Sequence, residues 1–451
     1  MNRRLVWLAT LALALVGTFV ACGGKEERKP NVVLILVDTL RPDHLQAYGY
    51  QRPTSPFLSG LAQRGVLCER AFSASTWTAP STASLFTGLY PNQHGITEGF
   101  FVHRKRAERD GAESAAEEAS VALNRLPEGV PTVPELFERA GYATFGASCN
   151  VNVTSRIGFD RGFGQFADFT GPQYGKGANA EQVLAQLRTW KPEIAGERPY
   201  FLYLHFNDVH SPWTPHKPAF PVDNQAYGSE RSQYDGELRF LDRTLEQISR
   251  ELGWNDDTLV VVVSDHGEEF GEHGALGHGY SVHNELMRIV MLYSWPAVLP
   301  QGRRIVQPVS ILDVLPTLAQ LVGLDVPQDR SGVSLAPSLA GRAEPPERTL
   351  FALRLKEGGT RQLWAAQRGN WKLILSGIGA QLYDHSIDPL ERKDVSREHP
   401  ETVERLLGEL REFRAGSHVR GGTKVDVELD ADAIKALEQL GYTDKAGDGD
   451  K

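Results

Sequence analysis

Continuous apolar runs alternate with amphipathic stretches along this chain. Asn31 to Asp38 (NVVLILVD) is apolar and β-branched throughout and closes on a carboxylate. Phe201 to Asp208 (FLYLHFND) repeats the pattern, and Thr258 to Glu268 (TLVVVVSDHGE) repeats it more strongly. Runs with no polar face predict strands buried on both sides of a parallel sheet under helices. Helical periodicity lies between them in SPFLSGLAQRG, VPTVPELFERAGY, AEQVLAQLRTW and QYDGELRFLDRTLEQISREL. Strands alternating with helices predict a doubly wound α/β fold. Ligands of such folds gather at the carboxyl ends of the strands, so the three polar ends are expected to converge. Beyond about Pro345 the pattern shortens to TLFALRL, LWAAQRG and WKLILSG, then a charged helical tail. This predicts a main domain over residues 31–345, and a small antiparallel subdomain with its tail over residues 346–451. Polar, Ala/Glu-rich residues His103 to Ala122 read as an exposed insertion.

The N-terminus changes the picture. Arg3 and Arg4 precede an apolar run from Leu5 to Val20, which ends in Ala21, Cys22 and Gly23. A run of this length closed by small residues and a Cys fits a signal-peptide core better than a membrane span. FVAC resembles a bacterial lipobox. The expectation is a lipoprotein signal over residues 1–22, a tether over 23–30, and a cell-envelope protein anchored by lipid on Cys22. Ordinary secretion with cleavage nearby is the alternative. The net charge of -9 gives no reason to expect nucleic acid as a partner. Cys68 and Cys149 are the remaining thiols; they could pair in an oxidising compartment, and neither sits in a Cys/His catalytic pattern.

Asp38, Asp265 and His266 are the candidate metal ligands. Carboxylates gathered at strand ends repel, and a divalent cation cancels that repulsion. The His leans toward Mn²⁺ or Zn²⁺, whereas an all-oxygen shell would suit Ca²⁺ or Mg²⁺. A single strand-end Asp is more often a cap or turn former. In TWTAPSTASLFTG, Pro80 suits the first turn of a helix running from Ser81 to Leu89, which puts Thr78 just before its N-terminus. There the helix dipole favours an anion, and metal coordination would turn the hydroxyl into a nucleophile and make it a metal ligand. An ordinary N-cap is the bland alternative for Thr78. His210 (NDVHSPW) and His278 (HGALGHG) follow the candidate strands in Gly- and Pro-rich loops, and are suited to hold oxyanions or protonate a leaving group. His44, His94, His273 and His283 read as structural.

Four segments then carry a resemblance: NVVLILVDTLRPDHLQAYGY, TAPSTASLFTGLYPNQHGI, HFNDVHSPW and VVVVSDHGEEFGEHGALGHG, with VSILDVLPTLAQLVGL and LYDHSIDPLERKDVS after them. Their order resembles that of sulfatases, in the alkaline phosphatase superfamily. The resemblance spans nearly the whole chain after the signal. It implies an α/β/α sandwich with a central mixed sheet and a small C-terminal antiparallel subdomain. It also implies metal-ligand positions at Asp38, Asp265 and His266, a nucleophile position at Thr78, and substrate or leaving-group contacts at His210 and His278.

The departures carry equal information. The family's Cys-or-Ser, any residue, Pro, Ser, Arg motif reads Thr78, Ala79, Pro80, Ser81, Thr82 here. No formylglycine is expected, because its precursor Cys or Ser is missing. A second metal carboxylate is replaced by Thr39, and the Lys/His segment reads GASCNVN from Gly146 to Asn152. A metal-bound Thr resembles the phosphoryl-transfer members of the superfamily. The sequence therefore favours a metal-dependent hydrolase or transferase of phosphate esters over sulfate esters. Sulfate-ester hydrolysis and a non-catalytic, anion-binding envelope lipoprotein are the alternatives. The implied partners are an anionic ester, one divalent cation and the membrane.

Overall fold

The computed structural model describes residues 29–99, 120–169, 178–216, 220–355, 362–418, 420 and 424–428. The signal-like run with Cys22, and residues 103–119 of the expected insertion, lie outside these. No described helix is long and apolar enough to cross a membrane.

The apolar runs become strands as their composition requires. We number the strands of the main sheet and the longer helices in chain order. Strands β1 (Val32–Val37), β2 (Val66–Cys68), β3 (Ala143–Ser148) and β4 (Gln165–Asp168) come first. Strands β5 (Tyr200–Phe206), β6 (Leu259–Ser264), β7 (Met291–Ser294) and β8 (Arg303–Ile305) follow. They form one eight-stranded sheet in the order β8-β2-β7-β6-β1-β5-β3-β4, in which β7 alone runs antiparallel. The three strands expected from sequence are its centre. Val37 lies beside both Phe206 and Ser264, so Asp38, Asn207 and Asp265 leave the sheet side by side.

Two cores cover the sheet. Val33, Ile35 and Val37 pack with helices α1 (Pro56–Gln63), α4 (Ala180–Ile194) and α5 (Gly228–Leu252). Val32, Leu34 and Leu36 point the other way, as period-2 alternation demands. They pack with α2 (Thr78–Thr87), α3 (Val133–Arg139) and α6 (Val314–Leu321). The result is the expected α/β/α sandwich. Strands β9 (Leu350–Arg354), β10 (Leu363–Arg368), β11 (Trp371–Ser376) and β12 (Gly379–Asp384) form the C-terminal antiparallel sheet. The fourth strand was not anticipated. Leu353, Trp364 and Leu373 of this sheet join the same core as α2, together with Leu406 and Leu410 of α7 (Pro400–Gly416). The end of the expected insertion is no loop. Ser120–Asn124 pairs antiparallel with Lys424–Glu428 in a two-stranded ladder.

A long-range cap ties α1 down. Asp242 of α5 accepts the amides of Phe57 at 3.0 Å and Leu58 at 2.9 Å, two of the donors that a helix start leaves unmatched. Asp242→Ala is expected to cost about 2–3 kcal/mol of stability by urea unfolding. A loss below about 0.5 kcal/mol would show that water replaces the cap.

Candidate active site

The carboxyl ends of β1, β5 and β6 meet the N-terminus of α2. Helix α2 starts at Thr78, three residues earlier than expected, so Pro80 sits inside the first turn. Its missing N–H costs nothing there, because first-turn amides have no intrahelical partner. Trp77 holds the N-cap position and makes no side-chain cap; its indole N–H donates to Gly279 O at 2.7 Å. The Thr78 hydroxyl points instead into the centre, donating to Asp38 Oδ2 at 3.3 Å and lying 3.4 Å from His266 Nε2. The cap alternative therefore does not hold.

Asp38 and Asp265 are fully buried. Asp265 Oδ1 accepts the amides of Thr39 at 3.1 Å and His266 at 2.8 Å. Asp38 Oδ2 accepts Asn150 Nδ2 at 2.7 Å. Asp38 Oδ1 and Asp265 Oδ2 receive no hydrogen bond among the described residues. Burial pushes Asp265 up to about 7; it also pushes Asp38 up to about 6, with Asp265 adding to the rise. Burial holds His266 down at about 4. His266 Nε2 lies 3.7 Å from Asp38 Oδ1 and 3.4 Å from Asp265 Oδ2.

Sequence reasoning assigned no role to His205. It stands on β5, fully buried, with neither ring nitrogen hydrogen-bonded among the described residues and Nε2 3.8 Å from Asp38 Oδ2. Ligand atoms of Asp38, His205 and Asp265 all lie within 4.8 Å of one another. The one signal available in FLYLHFND was a histidine inside an otherwise apolar run. Unmet buried acceptors converge here, and His266 Nε2 lies within 3.7 Å of both carboxylates of that group. The residues fit a divalent cation.

His210 and His278 reach the same centre. The His278 ring is 4.5 Å from that of His266 and 5.0 Å from that of His210. His278 Nδ1 meets Glu268 Oε1 at 3.0 Å, a partner the sequence did not single out. Burial pushes Glu268 up to about 7 and His278 down to about 3, so in the metal-free centre burial favours the neutral form of both. The replaced family positions are also accounted for. Thr39 takes a positive φ of 56°, unusual for a β-branched residue, and its hydroxyl turns away to Val209 O at 3.1 Å. Thr82 is fully buried and offers no positive charge. Asn150, in the segment lacking Lys and His, holds Asp38 and also donates to Asn207 Oδ1 at 3.1 Å.

The histidines read as structural lie away from Asp38 and Thr78 and make the following contacts. His44 Nδ1 meets Asp235 at 2.7 Å, His94 Nε2 meets Ser84 Oγ at 3.1 Å, and the His273 and His283 rings stack 3.8 Å apart. Cys68 and Cys149 are buried free thiols, so the pair left open by the sequence is not formed.

This fold and this chemistry define a hydrolase of anionic esters. The chain belongs to the sulfatase family, whose model matches residues 30–324; the model "N-sulphoglucosamine sulphohydrolase, C-terminal" matches residues 271–415. A Delta 4,5-hexuronate-2-O-sulfatase of Bacteroides thetaiotaomicron is 22% identical over 453 residues, covering 86% of this chain and 88% of the relative. A choline-sulfatase of Rhizobium meliloti is 25% identical over 477 residues, covering 86% of each. Among solved structures, a 2-O GAG sulfatase superposes with a TM-score of 0.70 at 19% identity, over 86% of this chain and 92% of the other. A phosphonate monoester hydrolase of Agrobacterium radiobacter gives 0.66 at 20% identity, over 86% and 96%. At these identities the superpositions speak for the fold.

Proposed function

We propose that the protein hydrolyses sulfuric esters through Thr78, with one divalent cation held by Asp38, His205, Asp265 and His266. The observation that carries this reading is the Thr78 hydroxyl, 3.3 Å from Asp38 and 3.4 Å from His266 at the positive end of α2. Two imidazoles beside two carboxylates favour Zn²⁺ or Mn²⁺ over Ca²⁺ or Mg²⁺. When bound, the cation lowers the pKa of the hydroxyl and offsets the charge of the ester oxygens. Thr78 Oγ1 passes its proton to the imidazole of His278 or His210 and bonds to sulfur as the bond from sulfur to the alcohol oxygen breaks. His278, oriented by Glu268, and His210 hold the anion and return a proton to that oxygen. Water then attacks the sulfur of the Thr78 ester, which releases sulfate and restores the hydroxyl. Thr carries no second hydroxyl, so the elimination route of a hydrated aldehyde does not apply.

The sulfatase relatives support sulfate over the phosphate preference drawn from the sequence. Phosphate esters remain a second reading on one specific observation: Thr78 supplies a single hydroxyl and Thr82 no positive charge, which suits phosphoryl transfer. Aryl sulfate, aryl phosphate and phosphate diester assayed together, with Zn²⁺, Mn²⁺, Ca²⁺ or Mg²⁺, separate the two. Sulfate turnover is expected; turnover of phosphate alone would transfer the assignment, and silence with every metal would favour the anion-binding alternative.

We also place the protein in the bacterial cell envelope, anchored through Cys22. Cells fed labelled palmitate are expected to label the protein, and Cys22→Ala to lose the label. An unlabelled wild type would point to ordinary secretion.

A further inference from the structure

A cleft of about 130 Å³ opens beside the ester-binding centre, and Asn207 and His210 belong to both. Asp208, Thr214, His216 and Glu237 also line it, and no Lys or Arg does among the described residues. Asp208 is 8% exposed; its Oδ1 caps α4 by accepting the Ala180 amide at 3.0 Å, and its Oδ2 receives no hydrogen bond among the described residues. Glu237 accepts the Thr214 amide at 2.6 Å and meets His216 Nε2 at 2.7 Å. The anionic end of the substrate is thus met by imidazoles and a cation site, while the space beyond it presents Asp208, with one oxygen unmet among the described residues, and Glu237, which meets His216.

Like charges repel strongly across a partly desolvated cleft, and an unmet buried carboxylate oxygen attracts a donor. Resting on the ester-hydrolase reading above, we propose that this cleft holds the alcohol part of the substrate. It selects an alcohol whose second group donates hydrogen bonds, ammonium above hydroxyl, and rejects one that carries a second anion. A polysulfated sugar fits this wall poorly; a small amino alcohol or neutral polyol fits it well.

The test uses the metal-loaded full chain and two series that differ only in the second group. One series is hydrolysable: 2-aminoethyl, 2-hydroxyethyl, propyl and carboxymethyl sulfates, with the matching phosphates. The other cannot be cleaved: 2-aminoethanesulfonate, propane-1-sulfonate and sulfoacetate, with binding read by calorimetry. Asp208→Asn is the informative variant, because an amide oxygen still caps Ala180 while the charge is gone. In the wild type, ammonium is expected to exceed carboxylate by at least about tenfold in both series. In Asp208→Asn that ratio is expected to fall at least about threefold, with the melting temperature within about 3 °C of the wild type. Equal use of the ammonium and carboxylate compounds, or a ratio unmoved in Asp208→Asn, overturns the subsite while leaving the hydrolase reading intact. Selective binding of 2-aminoethanesulfonate without turnover of any ester supports the subsite and overturns the hydrolase reading. No binding and no turnover overturn both.

Discussion

Thr78→Ala is expected to lower kcat/KM by on the order of 10⁴-fold or more, with the fold intact. The size follows from chemistry: without the hydroxyl no covalent ester forms on the protein, and only cation and imidazole stabilisation remain. Helix α2 should tolerate the change. Thr78 makes no cap in its helix, and Ala is the better helix former. The melting temperature is expected to move by less than about 3 °C. Thr78→Ser keeps a hydroxyl in the same place and should retain activity within about tenfold. It loses only the methyl that fixes χ1. Rapid quenching of the wild type during turnover should yield a peptide containing Thr78 heavier by one sulfo or phospho group. A Thr78→Ala variant with more than about a hundredth of wild-type activity would place the nucleophile elsewhere.

Why Thr78 was legible while His205 was not is a matter of local against non-local signals. Buried parallel strands have no polar face, so VVLILV, FLYLHF and LVVVVS announced themselves, and the carboxylates ending two of them marked the site edge. The start of α2 was visible from Pro80, although its position was misjudged by three residues because proline is tolerated throughout the first turn. His205 and Asn150 belong to the centre only through pairing of β1, β5 and β3, where Ser148 lies beside His205. No local periodicity encodes that register. The same holds for Glu268, which the sequence shows only as one acid among several after Asp265. The short ladder between 120–124 and 424–428 joins segments some three hundred residues apart, beyond the reach of any pattern argument.

The replacements around Thr78 form a consistent set. Thr39 and Thr82 remove one negative and one positive charge relative to the family motif, and Asn150 holds Asp38 without adding charge. The centre thereby keeps two carboxylates for one cation instead of three. Its preference for one ion then depends on the imidazoles more than on net charge.

The cation should invert the pH dependence of stability contributed by Asp265. In the metal-free fold burial raises Asp265 to about 7 from an ordinary 3.8. The native state therefore holds a proton that the unfolded chain has released, and this contribution to stability falls as pH rises from about 4 to about 8. His205, His266 and His278 act in the opposite direction below their ordinary value of 6.5, because burial keeps them neutral in the native state. Comparison with Asp265→Asn isolates the carboxylate. Without metal, the variant is expected to gain ~2–4 kcal/mol on the wild type between about pH 4 and about pH 8, since each pKa unit is worth about 1.4 kcal/mol. With Zn²⁺ or Mn²⁺ bound, Asp265 is held ionised and its folded pKa drops below the unfolded one. The wild type should then be the more stable protein above about pH 6, and lose that advantage on acidification. Urea unfolding of both proteins across this range, with chelator and with metal, reads the crossing directly. Parallel curves in the two conditions would mean that Asp265 does not touch the cation, and the ligand set would have to be drawn around Asp38, His205 and His266 alone.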